Sequence, residues 1–194
     1  MSKLMTKVLC VVAGLSLITI MACKPADNDQ SSYGEDRAEI ENLQARYMFA
    51  LDFGDLDTFV TTFTEDGTLD IIGMKWQGRE NIKEGLGSMM PPVGEENPEA
   101  QEASEVTEEK PLYRATGRHN ISNIVLKIDG DTAVGRAYWF HMGNGNPDRK
   151  AALDSYGYYE DEMKKVNGQW LFSQRRIYNE QMAAWIGSDK NPCW

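Results

Sequence analysis

His119 and His141 are the only two imidazoles among 194 residues. Imidazole ordinarily titrates near neutral pH, so these are the first side chains to consider for moving protons. His119 lies in an alternating run, RHNISNIVLKI. Counting by two along an extended chain puts His119, Ile121, Asn123 and Val125 on one face. Ile124, Leu126 and Ile128 fall on the other. His141 closes the next run, on the face of Ala133, Gly135, Ala137 and Trp139. The small residues there leave room, and a pocket is one reason to need room. A hydrogen-bonded core His119 and an exposed His141 at a strand end fit the same spacing.

Tyr47 and Asp52 belong to an upstream helical run. Five residues is about one and a half turns, so the two do not stack on one line. Both can border one cavity if the helix ends at Phe53-Gly54. A carboxylate is unfavourable near a helix C-terminus, where the dipole is already negative. Asp52 therefore calls for a partner, and a histidine is the obvious one. A core Tyr47 and a surface Asp52 are the plainer alternative. Arg175 and Arg176 are adjacent in the last extended run, so they point to opposite faces. An inward arginine needs an anion from the protein or from a substrate.

Other chemistries lack their residues. Two histidines with no nearby Cys, Asp or Glu at ligand spacing argue against a metal centre. No glycine-rich phosphate loop follows a strand, so no nucleotide cofactor is expected. No serine sits in a nucleophile elbow. Thirty acidic against twenty basic residues, a formal charge of −10, argue against nucleic acid as a partner. At 41% hydrophobic and 26% charged, the composition is that of a globular protein. Acid–base chemistry without a cofactor is what remains.

Elements that could position these residues follow in order. Asp36 and Glu39 form a capping box for a first helix, with Ile40, Leu43, Tyr47 and Leu51 on its apolar face. Asp55 caps a short second helix over DLDTFVTTF. A strand over 68–73 leads into a third helix near 79–86. Residues 88–112 hold four prolines and seven glutamates, an insertion that is either a solvated segment or a lid. Four strands follow, over 115–128, 132–142, 155–166 and 169–178, the last pair joined by Asn167-Gly168, a strong hairpin signal. Helices followed by a run of strands predict an α+β fold, with a curved antiparallel sheet wrapped over the N-terminal helices.

The N-terminus reads as an address. Lys3 and Lys7 precede an apolar run from Val8 to Ala22, shorter than the roughly 20 residues of a membrane span. Ile20-Met21-Ala22-Cys23 resembles a bacterial lipobox. On this reading 1–22 is a signal peptide and Cys23 is lipidated. Residues 23–35 are then a flexible tether, and the site of action is the outer membrane, facing the periplasm. A plain signal peptide or a short anchor is the alternative.

Three stretches, YMFALDFGDLDTFVTTFTEDGTLD, RHNISNIVLKIDGDTAVGRAYWF and GYYEDEMKKVNGQWLFSQRRIY, make the chain resemble the SnoaL-like branch of the nuclear transport factor 2-like superfamily. The resemblance implies a SnoaL-like domain over 36–187 and a tail over 188–194. It implies a cone-shaped α+β barrel with a deep pocket for a small hydrophobic molecule, often dimeric through the outer sheet face. Dehydratases, isomerases, cyclases and ligand-binding modules share this scaffold. The resemblance places Tyr47, Asp52, His119 and His141 as catalytic residues and Arg176 where it would bind a substrate carboxylate or hold Asp52, while strand alternation sets Asn123 and Trp139 on the histidine faces, against the substrate. It departs at the acidic insertion.

Overall fold

Helix α1 (Asn28–Asp52) buries Ile40, Leu43, Tyr47, Met48 and Ala50 along one side, the spacing its sequence predicts. The computed structural model describes residues 28–90, 117–146, 148 and 150–181. Cys23, the apolar N-terminal run, the bulk of the acidic insertion and the C-terminal tail lie outside them. The helix starts well before Asp36, so the expected capping box is not its beginning, and 28–35 are helical rather than a tether. Asp36 instead has a tertiary role. Its Oδ1 accepts from Lys165 Nζ at 2.6 Å and from Trp170 Nε1 at 2.9 Å.

Gly54, at φ 66°, ends α1 in the left-handed conformation that suits glycine. Asp55 then caps α2 (Leu56–Thr61), accepting from the Thr58 N–H at 3.0 Å. Strand β1 (Phe63–Ile71), the short β2 (Met74–Gln77) and helix α3 (Arg79–Met89) complete the first half. Strands β3 (Gly117–Asp129), β4 (Thr132–Gly143), β5 (Ala152–Val166) and β6 (Gln169–Asn179) form the expected meander. Asn167 and Gly168 turn β5 into β6 with φ of 50° and 78°.

The six strands lie in one unclosed sheet in the order β2-β1-β6-β5-β4-β3. Its β1–β6 pairing is parallel, so the sheet is mixed and not wholly antiparallel. A parallel pair needs a long crossover, and α3 with the meander provides one. Helix α1 packs on β3 and β6, spanning the inner face.

That face is filled at its centre. Tyr47, Phe59, Phe63 and Phe172 interlock with ring centroids 4.6 to 6.1 Å apart. Arg175 is fully buried among them, its guanidinium 4.0 to 4.2 Å from the rings of Tyr47, Tyr159 and Phe172. Its counter-charge is Asp161, held at 2.7 and 2.8 Å, with Gln44 bridging the two. The small residues of β4 serve this packing. A side chain at Gly135 would press on Leu126 and Met163, so the expected room beneath Trp139 is already occupied.

Among the described residues the pairing register shifts in four of the strand pairs, and two of these shifts bear on the histidines. In β3 the pairing with β4 shifts between Ser122 and Val125, and Asn123 takes φ 54°. In β5 the partner of His141 is Ser155 and that of Met142 is Leu153, leaving Asp154 as the extra residue.

Candidate active site

His119 and His141 are direct cross-strand neighbours on the inner face of β3 and β4. Their ring centroids are 4.5 Å apart. Asp52, the last residue of α1, is the buried carboxylate beside them. Its Oδ1 lies 2.6 Å from His119 Nδ1. Its two oxygens also accept the backbone N–H of His119, at 3.2 and 3.0 Å. A carboxylate accepts, so Nδ1 carries the ring proton and Nε2 is the nitrogen left for a substrate. This is the partner that the helix-dipole conflict at Asp52 called for.

His141 is held in the same way by a residue that the sequence reading missed. Asp154 Oδ1 lies 2.6 Å from His141 Nδ1. The bulge in β5 turns this side chain to the histidine side. Two opposed glycines, Gly117 and Gly143, make the space. A side chain at Gly143 would run into the Asp154 carboxylate, and one at Gly117 would meet the His141 ring. Asp154 was legible in principle. It faces His141 once the 143–154 connection is folded back as a hairpin, but spacing alone does not set that register.

The histidines sit at one end of a line of rings. Trp139 is 6.2 Å from His119 and 6.0 Å from Tyr159, and Tyr159 is 6.4 Å from Tyr47. Trp139 is fixed further by donating its Nε1–H to the Tyr178 carbonyl at 3.0 Å. Burial pushes the Tyr47 hydroxyl up to about 12, against the pull of the Arg175 guanidinium. Burial and the neighbouring Tyr47 raise Tyr159 well above its ordinary value too. Both hydroxyls therefore keep their protons at neutral pH.

A family model for the SnoaL-like domain matches residues 32–176, three-quarters of the chain. The chain belongs to the SnoaL-like family. Rv2910c of Mycobacterium tuberculosis, an uncharacterized protein, is 26% identical over 155 residues, covering 79% of this chain and 92% of that protein. Solved structures share the fold. A variant of Rv3472 of M. tuberculosis, a protein of unknown function, aligns with a TM-score of 0.60 and 22% identity, covering 80% of this chain and 78% of that one. A Nostoc punctiforme protein of unknown function with a cystatin-like fold gives 0.58 and 22%, covering 75% and 92%. A Novosphingobium aromaticivorans protein, provisionally named scytalone dehydratase, gives 0.58 and 20%, covering 84% and 97%.

Within this SnoaL-like domain, two residues expected against the substrate lie elsewhere. Asn123 is exposed, because the β3 bulge flips the alternation after Ile121 and returns Leu126 to the core. The three-residue step from Ile121 to Ile124 is the sequence trace of that bulge. Arg176 faces the outer side, where its Nε reaches Asp70 at 3.2 Å and its Nη1 reaches Glu160 at 3.5 Å. Arg175 is the inward arginine, and Asp161 neutralises it. Tyr47 is on the inner side, but its ring contacts are with core aromatics. An apolar groove of about 690 Å³, lined in part by Phe49, Phe53, Ala50 and Thr58, runs on the outer side of α1 and not over the histidines.

Proposed function

We propose that this SnoaL-like protein is a cofactor-independent lyase that dehydrates a hydrophobic hydroxy-carbonyl compound. The observation that carries the proposal is His119, whose ring and backbone N–H are both held by the buried Asp52 carboxylate. A base fixed at Nδ1 presents Nε2 in one direction, which general base catalysis requires. His119 Nε2 takes the proton from the carbon beside the carbonyl, and the C–H electron pair enters the enolate. When that pair re-forms as C=C, the β C–O bond breaks and its electrons leave with the hydroxyl. His141 supplies the proton that makes the leaving group water. Trp139 and Ile121 offer an apolar surface beside the rings. The scytalone dehydratase name carried by one fold relative is consistent with this class of reaction.

The test is solvent exchange. The full chain in detergent and deuterated buffer is incubated with a panel of β-hydroxy ketones and cyclic enones, with mass spectrometry of the small molecules. Deuterium should enter the α-carbon, and His119→Ala should slow entry by about 10² to 10⁴. Exchange at wild-type rate in that variant would end the proposal. An isomerase or cyclase would pass through the same enolate but release no water. Tight binding with no exchange would favour a ligand carrier, a reading that the apolar groove on α1 also supports.

The proposal extends to place and assembly. Lipidation at Cys23 would set the domain in the periplasm, on the outer membrane, and radiolabelled palmitate should be incorporated by wild type and not by Cys23→Ala. Tyr138, Tyr158 and Tyr178 are register partners across three strands on the outer face. Such an aromatic row suits pairing with a second copy. Sedimentation should give a dimer that Tyr138→Glu dissociates.

A further inference from the structure

The carboxylate on His141 is not required for the fold in the way Asp52 is. Asp52 is buried and caps a backbone N–H as well as a ring. The Asp154 side chain is 48% exposed, stands on the extra residue of a bulge, and among the described residues hydrogen-bonds the His141 ring and the adjacent Ser155 hydroxyl. Bulges that re-aim a side chain are over-represented beside active sites. The facing pair Gly117 and Gly143 is cleared for this contact, since a side chain at either would displace the ring or the carboxylate. Four local features, the bulge, the two glycines and the acid, thus converge on the orientation of one imidazole.

We infer that Asp154 is a positioning residue that makes His141 a second proton carrier, so that the site works with two separately oriented His/Asp pairs. This rests on the dehydratase reading and narrows it. A single base suffices to move one proton between carbons. Elimination of water handles two protons at atoms two bonds apart, one taken from the α-carbon and one delivered to the oxygen on the β-carbon. His119 and His141, 4.5 Å apart and each engaged at Nδ1, match that need. In the forward step His119 gains the carbon proton and His141 gives up its own. Water leaves, and one proton passed from His119 to His141, directly or through solvent, restores both rings. Asp154 balances the charge His141 carries before the step and keeps its Nε2 toward the leaving hydroxyl.

The test has two readouts, one of them independent of any substrate. The chain holds only two histidines, so a tag-free, ¹⁵N-histidine-labelled full chain in detergent gives two ring systems. Multiple-bond ¹⁵N–¹H spectra report which nitrogen carries the proton in a neutral ring. Recorded at a pH high enough for both rings to be neutral, after the proton that His141 donates has been removed, wild-type His141 should be protonated at Nδ1, and Asp154→Ala should move that proton to Nε2 while leaving His119 unchanged. With a substrate that the wild type dehydrates, Asp154→Ala should lower water elimination by about 10² or more while α-carbon exchange through His119 persists. Asp154→Glu should restore part of the elimination rate. An unchanged His141 tautomer, or exchange and elimination falling together, would overturn the inference. If no compound in the panel exchanges with wild type, the dehydratase reading fails by itself, and the tautomer spectra still decide whether Asp154 orients His141.

Discussion

At the scale of single residues, Asp52 joins two functions that mutation can separate. Its oxygens satisfy the backbone N–H of His119 and fix the ring. Asp52→Asn keeps an acceptor for the N–H, so the fold should survive. An amide can also donate, which permits the wrong ring tautomer, a change that costs orders of magnitude in comparable histidine pairs. We expect α-proton exchange to fall by about 10² to 10⁴ with an unchanged circular dichroism spectrum. Exchange within a few-fold of wild type would remove Asp52 from the mechanism. The corresponding substitution at Tyr47, to Phe, should leave exchange nearly intact, because the ring serves the aromatic core around Arg175.

At the scale of elements, the bulge in β3 decides which side chains reach the histidine face. Asn123 holds φ 54°, a conformation that asparagine tolerates and β-branched residues resist. Asn123→Val should destabilise the domain by about 1–2 kcal/mol, and Asn123→Gly should be well tolerated. Urea unfolding measures both, and equal losses would show that the backbone conformation is not the cause. The bulge also explains why His119 and Leu126 share a face although an odd number of positions separates them. A one-residue slip moves every later side chain to the other side.

At the scale of the molecule, α1 is fastened to the sheet at two points along its length. Asp52 meets β3 at its C-terminal end, and Asp36, more than two turns inside its N-terminus, meets Lys165 and Trp170. Burial alone would raise the Asp36 carboxyl. Its hydrogen bonds from Lys165 and Trp170, with the lysine charge, outweigh that and hold it below its ordinary 3.8. A carboxyl depressed by folding contributes stability that is present above its unfolded value and lost as pH falls through the folded one. The stability gap between wild type and Asp36→Asn should therefore be full near neutral pH and close as pH drops below 3.8. A gap that widens in acid would contradict this pairing.

Much of this organisation is written locally in the chain. The helical spacing of Ile40, Leu43 and Tyr47, the Asp55 cap and the Asn167-Gly168 turn each depend on a few neighbouring residues, and each appears where the sequence predicts it. The pairing of Asp52 with a histidine was also legible, because a carboxylate at a helix C-terminus needs a counterpart. What the tertiary structure decided depends on register between distant strands. Spacing assigns Asn123 to the inner face until the bulge is seen, and it leaves open which of Arg175 and Arg176 points inward. Parallel pairing of β1 with β6 puts Leu69 against Arg175 and Asp70 against Arg176, which sets one arginine in the core and the other outside. Asp154 reaches His141 only because β5 carries one residue more than β4 at that point. Local propensity cannot encode such offsets, since they are fixed by which pairing buries the larger apolar face and satisfies the buried charges together.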